Sequence, residues 1–315
     1  MERKQEIIIQ KQENGLVLLP WIAKRYTYHS LQKWEQYIQE ERIKINDCGI
    51  VPETILNTGD KVTYYPEPVI EPSVNIEYKL VYEDSDLLVI NKPSDLPCHP
   101  GGIYFNNTLW YILKQKYEYV SLVNRLDRET SGTILIAKSK ESASFYSNKM
   151  MEREIEKEYL VLVHGILKGD INARGWLGND SDSIIRKKRK FIVDVNAVQE
   201  DSEGDPHREF SHSSFTTIKS DDKYSLLRCK IFTGRTHQIR ATICSLGYPV
   251  VGDKIYGLDD SFFLKFINDT LTKDEWNVLV IANQALHSYI TTVPMMNGGT
   301  KIFTSSPSDN WPINL

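Results

Sequence analysis

The feature that most constrains the fold of this chain is the stretch YPEPVIEPS at residues 65–73, which holds three prolines in nine residues. Proline fixes φ and removes a backbone donor, so neither a helix nor a central strand can run through such a stretch. It is typical of a stiff linker. We therefore predict a small domain over residues 1–66, a linker over 67–77 and a larger domain over 78–315, since 315 residues are enough for two domains.

The small domain is predicted to contain two short helices followed by a small sheet. LLPWIAKRY and SLQKWEQYIQEERI space their apolar residues as helices do, and Ser30 is placed to cap the second helix. RIKIND and DKVTYY alternate apolar and polar residues like short strands. This part of the chain is thus expected to be a compact α+β unit.

The large domain is predicted to contain many short strands with helices between them. Runs such as GTILIAKS and YLVLVHGIL are apolar enough to be buried strands, whereas NTLWYILKQKY and HQIRATICSLG have helical character. The pattern predicts an α+β fold with an extended mixed, mainly antiparallel sheet and flanking helices. Residues 170–205 have poor strand periodicity, and we expect a substrate-specific insertion there.

Composition excludes some classes of protein. No apolar run approaches the roughly 18 residues of a membrane-spanning helix, and the N-terminus mixes both charge signs, which predicts a cytoplasmic protein without a membrane partner. The four cysteines lack metal-ligand or disulfide-framework spacing. The net charge of −4 argues mildly against a nucleic-acid partner, although the cluster RKKRK at 186–190 shows that positive charge is locally concentrated.

Two polar segments at the ends of predicted elements are the best candidates for chemistry. Common hydrolase, phosphate-loop and metalloprotease motifs do not occur. NRLDRETSG places Asp127 between two arginines before a buried strand, and TGRTHQIRA places Arg235 and Arg240 before a helix. A carboxylate beside arginines has a lowered pKa and stays ionised, which suits a nucleophile or an electrostatic stabiliser.

These segments resemble the motifs of RluA-type RNA pseudouridine synthases. NRLDRETSG is similar to that family's HRLDxxTSG signature, and INKPSDLPCHPGG, KEYLVLVHG, TGRTHQIRA, GYPVVGDKIYG and QALHSYI follow in the family's order. The resemblance spans about residues 78–306. Residues 16–66 also resemble the alpha-L RNA-binding domain first seen in a ribosomal small-subunit protein. The resemblance implies an enzyme that isomerises uridine to pseudouridine in structured RNA without a cofactor or a metal.

The resemblance also implies roles for individual residues. Asp127 would be the catalytic aspartate, attacking either the anomeric carbon of the ribose or the uracil ring. Arg235 would pair with Asp127, with Arg240 as the alternative for that role. Tyr159 would lie against the target uracil, and Arg125 would fill the space that the flipped nucleotide leaves.

Other residues near these motifs receive weaker assignments. Lys157 would support the site without a defined chemical role, and Ile239 would pack beneath the ring of Tyr159. Asn124 stands where the family usually has histidine; this affects local geometry and substrate choice rather than the reaction. The RKKRK cluster is expected to contribute to RNA binding, and replacing all five residues with alanine should flatten the salt dependence of that binding.

The alternatives are an inactive RNA-binding or ribosome-assembly protein of the same fold and a base-excising glycosidase. An inactive binder has no need for Asp127 beside phosphates that repel it, and a glycosidase usually needs a second acid. We therefore predict a monomeric enzyme whose partner is RNA, with ribosomal RNA slightly preferred over transfer RNA because of the N-terminal domain.

Overall fold

The computed structural model describes residues 4–67, 70–198, 208–307 and 310–313, and it divides the chain into two compact units. The first unit is Met1–Glu71 and the second is Pro72–Leu315. This division falls within the proline-dense stretch, where the chain cannot form helix or central strand. The two units have separate hydrophobic cores.

The first unit is a three-stranded sheet with two helices. Its elements in chain order are β1 (Gln5–Ile8), α1 (Leu18–Arg25), α2 (Leu31–Gln39), β2 (Ile43–Ile45) and β3 (Lys61–Tyr64). The strands are antiparallel in the order β1-β3-β2. Ser30 caps α2, since its side chain accepts from the backbone N–H of Lys33. Both predicted helices are therefore present.

Trp34 lies at the centre of the first unit and is fully buried. Its ring packs edge-on against Tyr64 with 5.0 Å between centroids, and its indole N–H donates to the carbonyl of Tyr26. An apolar ring with a satisfied donor is a stable core element. The pattern of apolar residues on α1 and α2 thus builds a core of the first unit's own.

The second unit is built on an eleven-stranded sheet with helices around it. Its elements are β4 (Lys79–Glu83), β5 (Leu87–Lys92), α3 (Leu109–Lys114), β6 (Ser121–Leu122), β7 (Ser131–Ala137), α4 (Lys140–Met151), β8 (Glu156–His164), β9 (Ile171–Asn179), β10 (Arg189–Val193), β11 (Arg208–Ser220), β12 (Tyr224–Ile231), α5 (Gln238–Ser245), α6 (Ser261–Ile267), α7 (Lys273–Leu279), β13 (Leu286–Pro294) and β14 (Thr300–Thr304). The main path of the sheet is β10-β9-β11-β12-β8-β13-β7-β5-β4, with β14 paired to β13 and β6 to β7. The fold is α+β, as predicted.

Strands β5 and β7 are continuous apolar runs because helices cover both of their faces. Leu87, Val89 and Leu135 pack with Tyr146 of α4, while the alternate positions on both strands pack with Leu109 and other residues of α3. A strand that is buried on both faces has no polar face to alternate with.

The sheet is mixed through one junction, where β13 runs parallel to β7 and antiparallel to β8. Gly132 at this junction has φ +115°, and a Cβ there would lie 2.4 Å from the backbone nitrogen of Ser288. Only glycine fits so close an approach of two backbones. The TSG part of the Asp127 signature therefore has a structural function in the middle of the sheet.

Residues 170–205 have poor strand periodicity, yet the part that the structure describes contains the antiparallel pair of β9 and β10. The expected substrate-specific insertion stays a prediction. The alternation of apolar and polar residues is weak in β9 because the strand contains small residues. A Cβ at Gly175 would lie 2.1 Å from the carbonyl oxygen of Ile192 on β10, so the position excludes the apolar side chain that periodicity would look for. Residues 199–205 lie outside the described residues.

Among the described residues, no helix has the length and hydropathy that a membrane span requires.

Candidate active site

A cavity of about 1010 Å³ opens in the second unit where the loop before β7 meets β8, β12 and the start of α5. Its wall is strongly basic although the whole chain is acidic. Seven Arg or Lys residues line it against two carboxylates: Arg125, Arg128, Arg153, Lys157, Lys230, Arg235 and Arg240 against Asp127 and Glu156. A positively charged cleft attracts anions even when the net charge of the protein is negative.

Asp127 and Arg240 both line this cavity and form an ion pair. Nη1 of Arg240 donates to Oδ2 of Asp127 at 2.7 Å. The other two nitrogens of the guanidinium donate to Asp253, Nε to Oδ2 at 2.6 Å and Nη2 to Oδ1 at 2.8 Å. One buried cation is thus shared between a fully buried carboxylate and one whose side chain is 34% exposed.

Asp253 fixes the direction in which Arg240 points. Besides the bidentate contact, its Oδ1 accepts from the backbone N–H groups of Ile255 and Tyr256. Bidentate pairing locks the plane of a guanidinium, and the ring of Tyr256 lies beneath it at 4.9 Å. Arg240 therefore cannot rotate away, and its Nη1 is presented to Asp127.

The environment of Asp127 keeps its carboxylate ionised. Burial alone raises the pKa of this carboxyl, but the attraction of Arg240, the nearby His237 and the hydrogen bond from Arg240 together hold the pKa below its ordinary value. The same contacts act on Asp253, whose pKa is also lowered against the effect of burial. Asp127 is thus a partly accessible anion at neutral pH.

The loop that carries Asp127 is fixed by buried polar groups on both sides. The ammonium of Lys92 donates to the carbonyls of Pro93, Leu96 and Arg128, and it is fully buried. The side chain of Asn124 donates to the carbonyl of Thr133 at 3.3 Å and accepts from the N–H of Leu135 at 2.8 Å. Asn124 therefore ties the start of the loop to β7, and this contact explains an amide at that position.

The turn before α5 is fixed by Gln238. Its Oε1 accepts from the N–H of Arg235 and the hydroxyl of Thr233, while its Nε2 donates to the carbonyl of His212. His237 then takes a left-handed conformation, φ 56°, at the N-terminus of the helix. This sharp turn brings Arg240, in the first helical turn, against the Asp127 loop.

His237 is a neutral neighbour of the site. The hydroxyl of Tyr256 accepts from the backbone N–H of Arg189 at 3.0 Å and contacts Nδ1 of His237 at 2.9 Å. Burial and the adjacent Arg240 lower the pKa of His237 to about 4. Since a hydroxyl that accepts from Arg189 can still donate, it supplies the hydrogen bond to an unprotonated Nδ1.

Tyr159 lies in the same cavity wall on β8 and is buried. Burial raises the pKa of its phenol, which therefore stays protonated. Ile239 belongs to the same core cluster and also lines the cavity. The expected neighbourhood of Tyr159, Ile239 and Asp127 thus lies around one cavity.

The two remaining predicted arginines differ in their surroundings. Arg125 is exposed at the cavity wall. The expected pair of Arg235 with Asp127 was wrong, because Arg235 instead approaches Glu209 at 3.5 Å and donates to the carbonyl of Phe210. Arg235 precedes the left-handed turn and so points away from Asp127, whereas Arg240 follows it.

Comparisons with known proteins agree with this arrangement. A family described as RNA pseudouridylate synthase matches residues 86–245. The chain is 33% identical over 72% of its length to a mitochondrial tRNA pseudouridine(32) synthase of Saccharomyces cerevisiae, of which it spans 47%. It is 32% identical over 85% of its length to ribosomal large subunit pseudouridine synthase C of Buchnera aphidicola, of which it spans 78%.

The chain belongs to the RNA pseudouridylate synthase family. The predicted enzyme class, an isomerase that converts uridine to pseudouridine in RNA, is confirmed by this membership. The fold agrees as well: the human protein RNA Pseudouridylate Synthase Domain Containing 1 has a TM-score of 0.56 and 24% identity, covering 75% of this chain and 86% of its own.

Sequence reasoning missed one member of the synthase's charged cluster. Asp253 was present in the quoted segment GYPVVGDKIYG, but nothing in its spacing indicates that it meets Arg240. The apolar residues around Asp253 could have indicated its role, because an acid that is buried in an apolar segment needs a partner of opposite charge. Among the described residues, no group of three or more His, Cys, Asp or Glu side chains is placed to hold a metal ion.

Proposed function

We propose that Asp127 is the catalytic carboxylate of this synthase. The observation that carries the proposal is the ionised Asp127 at the end of a buried Arg240–Asp253 pair, partly exposed to a basic cavity. A covalent catalyst must be unprotonated and must be reachable by its substrate. Asp127 meets both conditions.

In the reaction, the carboxylate of Asp127 forms a bond either with the anomeric carbon of the ribose or with the uracil ring. The bond between N1 and the anomeric carbon breaks, the base rotates, and carbon 5 forms the new bond to the ribose. Carbon 5 loses its proton and N1 gains one, so the product is an isomer of the substrate. Elimination or displacement of Asp127 returns the free carboxylate.

The residues around Asp127 would hold the flipped nucleotide. The aromatic face of Tyr159 would stack on uracil. Because burial keeps its phenol protonated, a Tyr159 phenolate would not be the base that takes the proton from carbon 5. Arg125, exposed at the wall, would occupy the place that the nucleotide leaves.

Arg235 would contact RNA rather than hold Asp127. Its side chain is partly exposed in the cavity wall, and its partner Glu209 is itself 42% exposed, so the pair is a weak one that a phosphate can replace. This assignment retains Arg235 as a substrate-binding residue and gives the positioning role to Arg240.

The substrate would be structured RNA, with ribosomal RNA preferred to transfer RNA. Relatives are named for both classes. The N-terminal unit, with its two helices followed by strands β2 and β3, is compatible with the predicted alpha-L-type RNA-binding domain. We also propose that the enzyme acts in the cytoplasm as a monomer.

The proposal is tested by incubating the full chain with total RNA and mapping pseudouridine. Asp127→Asn should reduce its formation by at least about 1000-fold, because an amide cannot act as the nucleophile. Asp182→Asn is a matched control, since Asp182 is an exposed surface acid paired with Lys190. It should behave as wild type.

Two results would refute the catalytic assignment. One is wild-type protein that forms no pseudouridine in any RNA, which would favour an inactive RNA-binding protein of the same fold. The other is an Asp127→Asn variant as active as wild type. Free uracil released into solution would instead indicate the base-excising alternative.

A further inference from the structure

Lys157 lies on the same face of β8 as Tyr159 and lines the same cavity. Residues two apart on a strand point to the same side, and both side chains belong to the cavity wall. The cavity wall also includes Met151, which is 73% exposed. Lys157 itself is half-buried whereas Tyr159 is buried, so Lys157 is the more accessible of the two residues, about 7 Å along the strand from Tyr159.

The ammonium of Lys157 has no counter-ion among the described residues. It contacts the thioether sulfur of Met150 at 3.4 Å, and a thioether is a weak acceptor. Burial lowers the pKa of Lys157 to about 8, and no carboxylate of the described residues offsets this effect. Neighbouring lysines differ, since Lys230 pairs with Glu156 at 2.8 Å and Lys149 pairs with Glu154 at 2.8 Å.

Lys92, which is fully buried, shows what a structural role requires of a lysine. The ammonium of Lys92 has three backbone carbonyls as acceptors, and these offset the loss of water. Within the described part of the chain Lys157 has only the sulfur, so its partial burial opposes folding in the free protein. An ammonium that destabilises the free protein and lines a substrate cavity indicates that an anion of the substrate binds to it.

We propose that Lys157 binds the backbone phosphate of the nucleotide whose base stacks on Tyr159. This inference rests on the proposed function. A phosphate fits Lys157 better than a uracil oxygen does, because Lys157 is half-buried and more accessible than Tyr159, against which the base would stack. Lys157 is then a substrate-binding residue, two strand positions out from the base, while Asp127 and Tyr159 act on the base and the sugar.

The test compares Lys157→Met, Lys157→Arg and the matched control Lys149→Met in the full chain. Binding of uridine 5′-monophosphate, uridine 3′-monophosphate and uridine is measured by titration. Lys157→Met should weaken binding of at least one monophosphate by about tenfold and leave uridine unchanged, since one charge-assisted hydrogen bond is removed. Lys157→Arg should retain most of the affinity, and Lys149→Met should match wild type.

Thermal unfolding separates this role from a structural one. Lys157→Met should melt at a higher temperature than wild type, because a half-buried charge with no counter-ion among the described residues is replaced by an apolar chain of similar length. Lower stability would mean that Lys157 supports the fold. Unchanged monophosphate binding, or an equal weakening of monophosphate and uridine binding, would also overturn the inference.

If wild-type affinity for the monophosphates is too low to measure, the inference is tested by the salt dependence of binding to total RNA. Lys157→Met should reduce the slope of log affinity against log salt by about 0.7 to 0.9, the change that accompanies removal of a single cation from a phosphate. An unchanged slope overturns the inference. Pseudouridine formation by wild type is scored separately, so failure of the proposed function cannot be mistaken for failure of this one.

Discussion

At the scale of single residues, the main feature of the site is one guanidinium that forms ion pairs with two carboxylates. Arg240 is buried and holds both Asp253 and Asp127. The pair with Asp253 orients the guanidinium, and the remaining N–H group keeps Asp127 ionised. Removing one member of such a buried set leaves an uncompensated charge, which is far more costly than breaking a surface ion pair.

We predict that Asp253→Asn impairs both stability and activity. Breaking a buried ion pair is expected to lower the free energy of unfolding by about 3 to 5 kcal/mol. The pKa values of Asp127 and Asp253 are lowered in the folded state. Their contribution to stability is therefore present above the unfolded pKa, near 3.9, and is lost as the pH falls through their folded pKa values.

Chemical unfolding at several pH values checks this prediction. Asp253→Asn should show a smaller loss of stability between about pH 5 and pH 3 than wild type, since one of the two groups that cause the loss is gone. Its pseudouridine formation should fall about tenfold or more as Arg240 loses its orientation. Wild-type stability together with wild-type activity would contradict the importance of the Arg240–Asp253 pair.

At the scale of elements, the basic cluster 186–190 divides between structural and available charges. Lys188 pairs with Asp260 and Arg189 pairs with Glu209, both at 2.5 Å, and Lys190 pairs with Asp182 at 3.2 Å. The guanidinium of Arg189 also donates to the carbonyl of Thr236, next to His237. The pairs with Asp260 and Glu209 attach β10 and the loop before it to the start of α6 and to β11, whereas the Lys190–Asp182 pair joins β10 to that same loop.

Arg186 and Lys187 are the exposed members of the cluster that form no ion pair with the described residues. Lys187 lies 4.5 Å above the ring of Phe263, and the charges of Asp127 and Arg240 act on its pKa, which burial lowers. The contact of Arg189 with Thr236, next to His237, brings this segment close to the candidate active site. The hypothesis that all five residues bind RNA becomes more specific: these two should carry most of the effect.

We predict that the double variant Arg186→Ala, Lys187→Ala weakens RNA binding and reduces its salt slope by about 0.7 to 0.9 for each phosphate that is no longer neutralised. Lys188→Ala is the comparison, since it should lower the thermal midpoint instead by breaking the pair with Asp260. Filter binding with total RNA over a range of salt concentrations distinguishes them. An unchanged slope in the double variant would remove this cluster from the RNA interface.

At the scale of the whole molecule, the chain consists of two compact units. Each has its own core, the first around Trp34 and the second between the large sheet and α5. The described residues that line the candidate active-site cavity belong to the second unit. Catalysis and any RNA recognition by the first unit can therefore be separated.

We predict that a chain of residues 72–315 folds and still forms pseudouridine, with an apparent KM raised about tenfold because the RNA is held by one unit instead of two. The unchanged active site should leave kcat within about threefold of wild type. Steady-state kinetics on the RNA identified by mapping gives both values. An unchanged KM would indicate that the first unit does not bind this RNA.

The sequence alone determined many of the elements and the family to which the chain belongs. The apolar run GTILIAKS forms the buried strand β7 and Ser30 caps α2, as predicted, and the motifs around Asp127 indicated the family. These are local properties, because burial, capping and motif order depend on residues close in the chain.

Only the tertiary structure decided which charged groups meet. Arg235 and Arg240 lie in one motif, yet the left-handed turn at His237 directs the second toward Asp127 and leaves the first with Glu209. Asp253 reaches Arg240 from a separate loop. Asn124, which the motif left without an explanation, holds the backbone of β7. Contacts of this kind depend on the path of the backbone between distant segments, which sequence spacing does not encode.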